Sequence, residues 1–411
     1  MRILHTADWH LGRKLEGRNR HDEQERVMDE ICRIADEEAV DAIIIAGDVF
    51  DAYNPPAESE SLFYRTMTRL ADGGRRGIVV IAGNHDSPDR LIASDPYARA
   101  LGITTLGYPK DIPALYDAGK ARTACVESAQ SFIRLRLPRA ERILNLLALP
   151  YPSESRLKEL LTEDIANEEG AAVDYNRRVR EFMEQGAARF RDGEANIIAS
   201  HLFVSGGQES DSERQIQVGG AYTVEPLSFP ASSYVALGHL HREQEMRGIN
   251  DTCIRYAGSV LQYSFSEAGQ KKSVTIVELR DGKISHYPVP LSSGRMLRRW
   301  QIGNGIEELE RRLAEVDPAD WLSVQLLLDA PLEPDYLNNL RRAHPGLIHC
   351  TCGYRWEAGE QNGDAPDAPP VTIEEQFRRF VRARYEEPCN DEVLRLFLEL
   401  AANGDEETRT H

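Results

Sequence analysis

The sequence contains no apolar run near the ~20 residues that span a bilayer, and it is short of cysteine, aromatic residues and positive charge. The first lack excludes a membrane-spanning helix as the organising element. The six cysteines, Cys32, Cys125, Cys253, Cys350, Cys352 and Cys389, form no CxxC pair, so neither a disulfide framework nor a thiolate cluster is expected. Cys350 and Cys352 would share one face of a strand and read as free core thiols. Lys and Arg total 49 against 67 Asp and Glu, a net charge of −18. That balance argues against a free-standing nucleic-acid binder, because phosphate contacts need cations. It leaves room for a local basic track, for metal ions that neutralise a site, or for a basic partner. The N-terminus enters a strand pattern at once, so the expectation is a chain without a signal peptide in a reducing cytoplasm.

What is present is a globular composition, 41% hydrophobic and 28% charged over 411 residues, enough for two or three domains. Short apolar runs over 2–7, 43–46 and 77–82 alternate with helical periodicity over 22–38, 59–70 and 89–101. This alternation predicts right-handed crossovers and mainly parallel pairing. Residues 104–137 are less regular, with a strand over 131–137 and another over 143–149. A charged stretch over 155–191 has helical spacing and reads as an exposed insertion. Strands follow at 196–199 and 234–237, and those at 253–257 and 273–279 are expected to close a second sheet. The composition shifts near 288–294. A β-α-β-α-β series then runs through 296–302, 306–316, 321–328, 333–343 and 347–354. The expected domains are therefore 1–287, 288–356, a linker over 357–370 and an apolar helical segment over 371–411. That segment either folds back on the core or docks a partner.

Five strand-like runs end at residues that bind metals: Asp8 and His10, Asp48, Asn84 with His85, His201, and His239 with His241. Alone, an aspartate in such a place is more often a turn residue, and a histidine more often a satisfied polar group. Together they matter, because parallel strands set their carboxyl ends along one edge, where open α/β sheets place their ligands. Imidazole, carboxylate and amide oxygen suit Mn²⁺, Fe²⁺ or Zn²⁺ rather than Ca²⁺. Seven donors suffice for two ions if one carboxylate bridges them, and two ions ~3.5–4 Å apart form the clamp used to hydrolyse phosphate esters. The loop over 11–20 sets Arg13, Lys14, Arg18 and Arg20 against one acid, Glu16. It reads either as a solvated turn or as a phosphate-backbone contact beside the site.

The order Asp-x-His, Gly-Asp-x-x-Asp, Gly-Asn-His-Asp, His and Gly-His-x-His over residues 8–241 resembles the calcineurin-like metallophosphoesterases. Within that superfamily the wording is similar to the nuclease-subunit branch that works with a coiled-coil ATPase. His5-Thr6-Ala7-Asp8-Trp9-His10-Leu11-Gly12, Ser210-Asp211-Ser212-Glu213-Arg214, Val218-Gly219-Gly220 and Tyr263-Ser264-Phe265-Ser266-Glu267 carry the likeness. The resemblance implies an α/β fold, a two-sheet sandwich flanked by helices, with a small α+β capping domain and a C-terminal helical segment that docks the ATPase. It implies two divalent ions, most simply Mn²⁺, with Fe²⁺ and Zn²⁺ open. Asp8, His10 and His241 would hold one ion, Asn84, His201 and His239 the other, and Asp48 would bridge. His85 would protonate the leaving oxygen, oriented by a carboxylate, Asp51 first and Asp86 second. The activity implied is cutting of double-stranded DNA ends and of single-stranded or hairpin DNA, in a homodimer formed through 59–70 and 89–101. The alternatives are a phosphoesterase acting on a small phosphodiester or a phosphoprotein, and a non-catalytic scaffold. Gly-Asn-His-Asp without an Arg-Gly after Asp51 speaks against a protein phosphatase, and the complete donor set against a scaffold.

Overall fold

Ala42–Ala46 is apolar at every position, and the fold uses both of its faces. Ile43 and Ile45 enter one core, Ala42 and Ile44 another. A strand covered on both sides needs parallel neighbours joined by crossover helices. The computed structural model of the chain describes residues 1–153, 156, 168–213, 222–280, 283–329, 332, 335–354, 377–378, 390 and 393–395. In it Arg2–Thr6, Ala42–Ala46, Gly77–Ile81 and Ile103–Leu106 lie side by side and parallel. Ser273–Arg280 and then Lys283–Pro290 extend this sheet antiparallel beyond Arg2–Thr6.

The second sheet has eight strands, in the order Gln244–Arg247, Cys253–Tyr256, Tyr234–Gly238, Ala195–His201, Arg142–Leu149, Phe132–Leu137, Ala124–Ala129 and Tyr116–Asp117. Its four strands from Cys253–Tyr256 to Arg142–Leu149 are parallel. The sheets face one another across a dry layer that includes Ile3, Ile44, Val79, Leu144, Leu146, Ala199 and Ala236. Helices His21–Glu37 and Ala57–Leu70 cover the outside of the first sheet through Val27, Ile31, Leu62 and Phe63. Helix Glu168–Ala187 covers the second through Tyr175, Val179 and Met183.

Four expectations change. The strand read over 273–279 joins the first sheet, as the antiparallel neighbour of Arg2–Thr6. Lys283–Pro290 is a strand where only a composition shift was read; its alternating burial and two prolines mark an edge. The helix read over 89–101 is three short pieces, because Pro96 follows the break at Ala93-Ser94. The charged stretch read as exposed buries a face, since Val179 and Met183 have no solvent exposure.

The parallel three-stranded sheet Leu297–Ile302, Trp321–Leu328 and Leu347–Tyr354 carries helices Gly305–Ala314 and Tyr336–Ala343, with Leu309, Leu313, Leu322, Val324 and Leu326 as its core. It rests on the loop after His10: Leu15, Leu297 and Trp321 cluster, and the Trp321 indole donates to Glu23 at 3.0 Å. Cys350 and Cys352 are free and half-buried on its last strand. Met1–Arg355 forms one compact unit and Trp356–His411 a second. The expected linker over 357–370 and almost all of the helical segment over 371–411 lie outside the described residues. Among the described residues no helix is long and apolar enough to cross a membrane.

Candidate metal centre

The carboxyl ends of both sheets' parallel strands converge on one edge. Asp8 and His10 follow Arg2–Thr6, Asp48 follows Ala42–Ala46, and Asn84 with His85 follows Gly77–Ile81. His201 ends Ala195–His201, and His239 and His241 follow Tyr234–Gly238. The first two loops are zipped together by main-chain bonds from Asp8 N to Gly47 O (3.0 Å), His10 N to Asp48 O (3.0 Å) and Leu11 N to Val49 O (2.9 Å). Four of the donors have left-handed backbones: Asp8 (φ 52°), His10 (φ 43°), Asp48 (φ 49°) and His239 (φ 105°). Each such residue costs ~1–3 kcal/mol and persists where surrounding structure enforces it, most often at functional sites. Glycine makes the close approach possible. A Cβ on Gly47 would strike the His201 ring, and one on Gly83 the Asp48 carboxylate.

All seven donors come together, and all are buried. Asp8, His10 and His241 offer atoms within 4.8 Å of one another, as do Asp8, Asp48 and His201. Asp48 Oδ2 lies 3.5 Å from both His10 Nε2 and His201 Nε2, so it stands between the two groups. Asn84 Oδ1 is 2.9 Å from His201 Nε2 and 3.3 Å from His239 Nδ1. His10 Nε2 and His241 Nε2 face each other at 3.0 Å. Two imidazole nitrogens pointing at one spot, beside two buried carboxylates, form a donor set that fits divalent cations.

The electrostatics agree. Burial raises Asp8 well above the usual carboxylate range. Burial also pushes Asp48 up, but the His201, His10 and His85 imidazoles outweigh it and hold Asp48 well below that range. Burial pulls His201 down, yet Asp48 and Asp8 overcome it and raise His201 to about 9. Burial lowers His10 to about 3 and holds His239 well below the usual imidazole range, which leaves both neutral, the ligating form. Without ions the buried charge is thus an Asp48 carboxylate paired with a protonated His201, while burial disfavours the charged form of Asp8; divalent ions would take the place of these protons, because metal binding releases them.

A set of supporting side chains holds these donors. His201 Nδ1 donates to Ala46 O at 2.8 Å, which directs Nε2 toward Asn84 and Asp48. His241 Nδ1 meets Ser212 Oγ at 2.7 Å and Glu267 Oε1 at 3.3 Å, and Lys272 Nζ stands 2.5 Å from Glu267 Oε2. Glu213 accepts the His241 main-chain N–H at 2.7 Å, and Asp8 accepts that of His239 at 2.9 Å. Such partners fix the ring orientation of ligating histidines. Ser212, Glu213 and Glu267 lie in the stretches that carry the family likeness, but nothing in residue type or spacing marked them as contacts of His241. Lys272 gave no signal at all.

His85 stands at the rim, its main-chain N–H on Asp48 Oδ1 (2.9 Å) and its Nδ1 on the main-chain carbonyl of Asp51 (2.8 Å). The orienting group is therefore a carbonyl, where a carboxylate was expected. The Asp51 carboxylate faces His10 Nδ1 (3.5 Å) and Arg13 (3.3 Å). Asp86 is fully buried and accepts the N–H groups of Gly83, Val49 and Phe50, so it ties two loops together and does not touch the His85 ring in the role expected of it. The basic loop divides. Lys14 and Arg18 are exposed, and Arg13 donates to Ser212 O at 2.7 Å. Arg20, expected on DNA, is 2% exposed, pairs with Glu23 and donates to the Gln262 carbonyl. Its burial withdraws it from any surface contact.

This edge and this pair of sheets are those of the calcineurin-like phosphoesterases, whose family pattern matches residues 1–243. The SbcD subunit of the nuclease SbcCD from Bacillus subtilis (strain 168) is 44% identical over 413 residues, covering 99% of each chain. The SbcD subunits of Rhodobacter capsulatus (36% identical, 71% of this chain and 69% of that one) and Escherichia coli K12 (31%, 83% and 80%) are similar too. The chain belongs to the calcineurin-like phosphoesterases and, within them, to the SbcD family of SbcCD nuclease subunits.

Proposed function

We propose that the chain is the nuclease subunit of an SbcCD-type complex, a two-metal phosphodiesterase that acts on DNA with an SbcC-type coiled-coil ATPase. The complete donor set gathered at one sheet edge, in a chain 44% identical to an SbcD subunit over its full length, carries this reading. Asp8, His10 and His241 would hold one ion, Asn84, His201 and His239 the other, and Asp48 both. When bound, such ions activate water and offset charge on the phosphoryl oxygens; Mn²⁺ is the ion we favour over Fe²⁺ and Zn²⁺.

The chain's own residues do the rest. The Asp51 carbonyl can only accept, so His85 Nδ1 carries a proton and Nε2 is the nitrogen that exchanges one with the leaving oxygen. Asp51, through its carboxylate, steadies His10 and Arg13 instead. Lys14 and Arg18 supply exposed cations beside the site for the DNA backbone. At −18 the chain holds little DNA unaided, so the ATPase shares that task, with the segment over 371–411 as its docking element. A homodimer within a heterotetramer is supported by Tyr64 and Tyr97, exposed where helix Ala57–Leu70 meets the pieces over 88–101. The setting we propose is the cytoplasm, which keeps thiols reduced. The activity expected is double-strand exonuclease with single-strand and hairpin endonuclease, serving DNA repair and recombination. Purified chain with Mn²⁺ and the ATPase should cut linear duplex and hairpin DNA; no cutting, with efficient hydrolysis of a cyclic nucleotide instead, would replace this reading by a small-molecule phosphodiesterase.

A further inference from the structure

At the opposite ends of the same strands lies a second group of metal-binding side chains. Cys253 opens the strand Cys253–Tyr256, whose parallel neighbours Tyr234–Gly238 and Ala195–His201 run toward the catalytic edge. Glu245 on the adjoining strand Gln244–Arg247 pairs with Arg255, so Glu245 and Cys253 sit diagonally on one face. His286 comes from the edge strand Lys283–Pro290 of the other sheet. His286 Nε2 is 2.8 Å from Glu245 Oε2 and 3.9 Å from Cys253 Sγ, and the three groups offer one donor each within 4.8 Å. The Tyr234 ring backs His286 at 6.0 Å.

We propose that Cys253, His286 and Glu245 form a third, mononuclear cation site of the Zn²⁺ class that fastens the two sheets together far from the catalytic edge. Thiolate, imidazole and carboxylate in one small volume are the donors that Zn²⁺ takes in four-coordinate sites. A fourth position is available to solvent. A cleft of about 970 Å³ opens beside the group, lined by Asn196, Ser233 and Asp251 among others. Burial, with Glu245 next to it, pushes the Cys253 thiol up to about 12, so without a cation the thiol is inert. Cation binding would release its proton to solvent. Glu245 also meets Arg247 at 2.6 Å and Arg255 at 3.6 Å. These guanidinium groups compete for the carboxylate, and Arg255 has a second partner in Glu243 to which it can turn. Affinity therefore rests mainly on the sulfur and the imidazole.

Among the described residues the catalytic edge contains no cysteine, so a sulfur signature separates the two places. The full chain is loaded with Co²⁺ and its ultraviolet thiolate-to-cobalt charge-transfer band recorded, with cobalt counted per chain. Wild type should show the band and bind three ions. Cys253→Ser should lose the band and bind two, while His10→Ala, altered at the catalytic edge, keeps the band. Zn²⁺ added to the cobalt form should erase the band. Glu245→Gln, a change at an exposed position, should weaken binding roughly tenfold or more. No band in wild type overturns the proposal. So does a band that survives Cys253→Ser, which would place the sulfur at another of the six cysteines. Unchanged affinity in Glu245→Gln overturns the role of the carboxylate. None of these outcomes depends on whether the chain cuts DNA.

Discussion

At the scale of single residues, neighbours in sequence have separate work. His85 touches Asp48 through its main chain only, and its ring is held at Nδ1 by the Asp51 carbonyl. His85→Ala should therefore keep both ions by metal analysis while lowering DNA cleavage by about 10²–10⁴-fold, the usual worth of a positioned proton donor. Loss of metal in that variant would show His85 to be a ligand. His5 offers a pH test away from the donors. It is fully buried, its Nε2 donating to Leu237 O at 3.1 Å and its Nδ1 3.0 Å from the Tyr234 hydroxyl. Burial, with Arg255 second, lowers its pKa to about 3, against ~6.5 for free imidazole. As pH falls from ~6.5 toward 3 the unfolded chain takes up a proton that the folded chain refuses, so stability drops by up to ~1.4 kcal/mol per unit. Urea unfolding between pH 6.5 and 5 should show this slope in wild type and a shallower one in His5→Asn; parallel slopes would assign the loss to other groups.

At the scale of elements, what could be read from sequence followed burial. Strands covered on both faces are apolar runs, and their abrupt polar endings are the residues that gather at one edge, so the grouping from Asp8 to His241 was legible. Strands at a sheet's edge were less so. Lys283–Pro290 alternates and carries proline. Ser273–Arg280, inside the sheet, reads as a strand without saying which sheet it joins, because pairing partners are distant in sequence. The supporting contacts of His241 were illegible for the same reason. Ser212, Glu267 and Lys272 meet it only through the fold. One element contact has a sharp test. Gly238 ends its strand with room for no Cβ, which would fall on the Ala46 carbonyl and 2.9 Å from Ala7 Cβ. Gly238→Ala should wedge the sheets apart at the catalytic edge, costing about 1–3 kcal/mol. It should also reduce bound metal, as thermal unfolding and metal analysis will show. A variant with unchanged metal content would mean that the edge yields without disturbing the donors.

At the scale of the whole molecule, the small three-stranded domain is anchored beside the catalytic edge. Buried Glu23 accepts from both Arg20 and the Trp321 indole, and Arg295 stacks over Trp321 at 4.9 Å. The basic loop, the first helix and the added domain therefore share one junction. A docking role is proposed for the segment over 371–411. Deleting that segment should abolish co-purification with the ATPase and leave hydrolysis of a small phosphodiester within about twofold of the full chain; an intact complex would move the docking surface elsewhere. The spread of the donors also sets a schedule. His241 follows Asp8 by 233 residues (241 − 8). The Asp8 carboxylate meets His239 N, and the Asp48 carboxylate meets His201, only across the two sheets. At roughly 5–20 residues per second, tens of seconds of synthesis pass before the last donor exists. A nascent or prematurely ended chain thus carries the first donors without the last, and the two-ion edge can form only after His241 has been made.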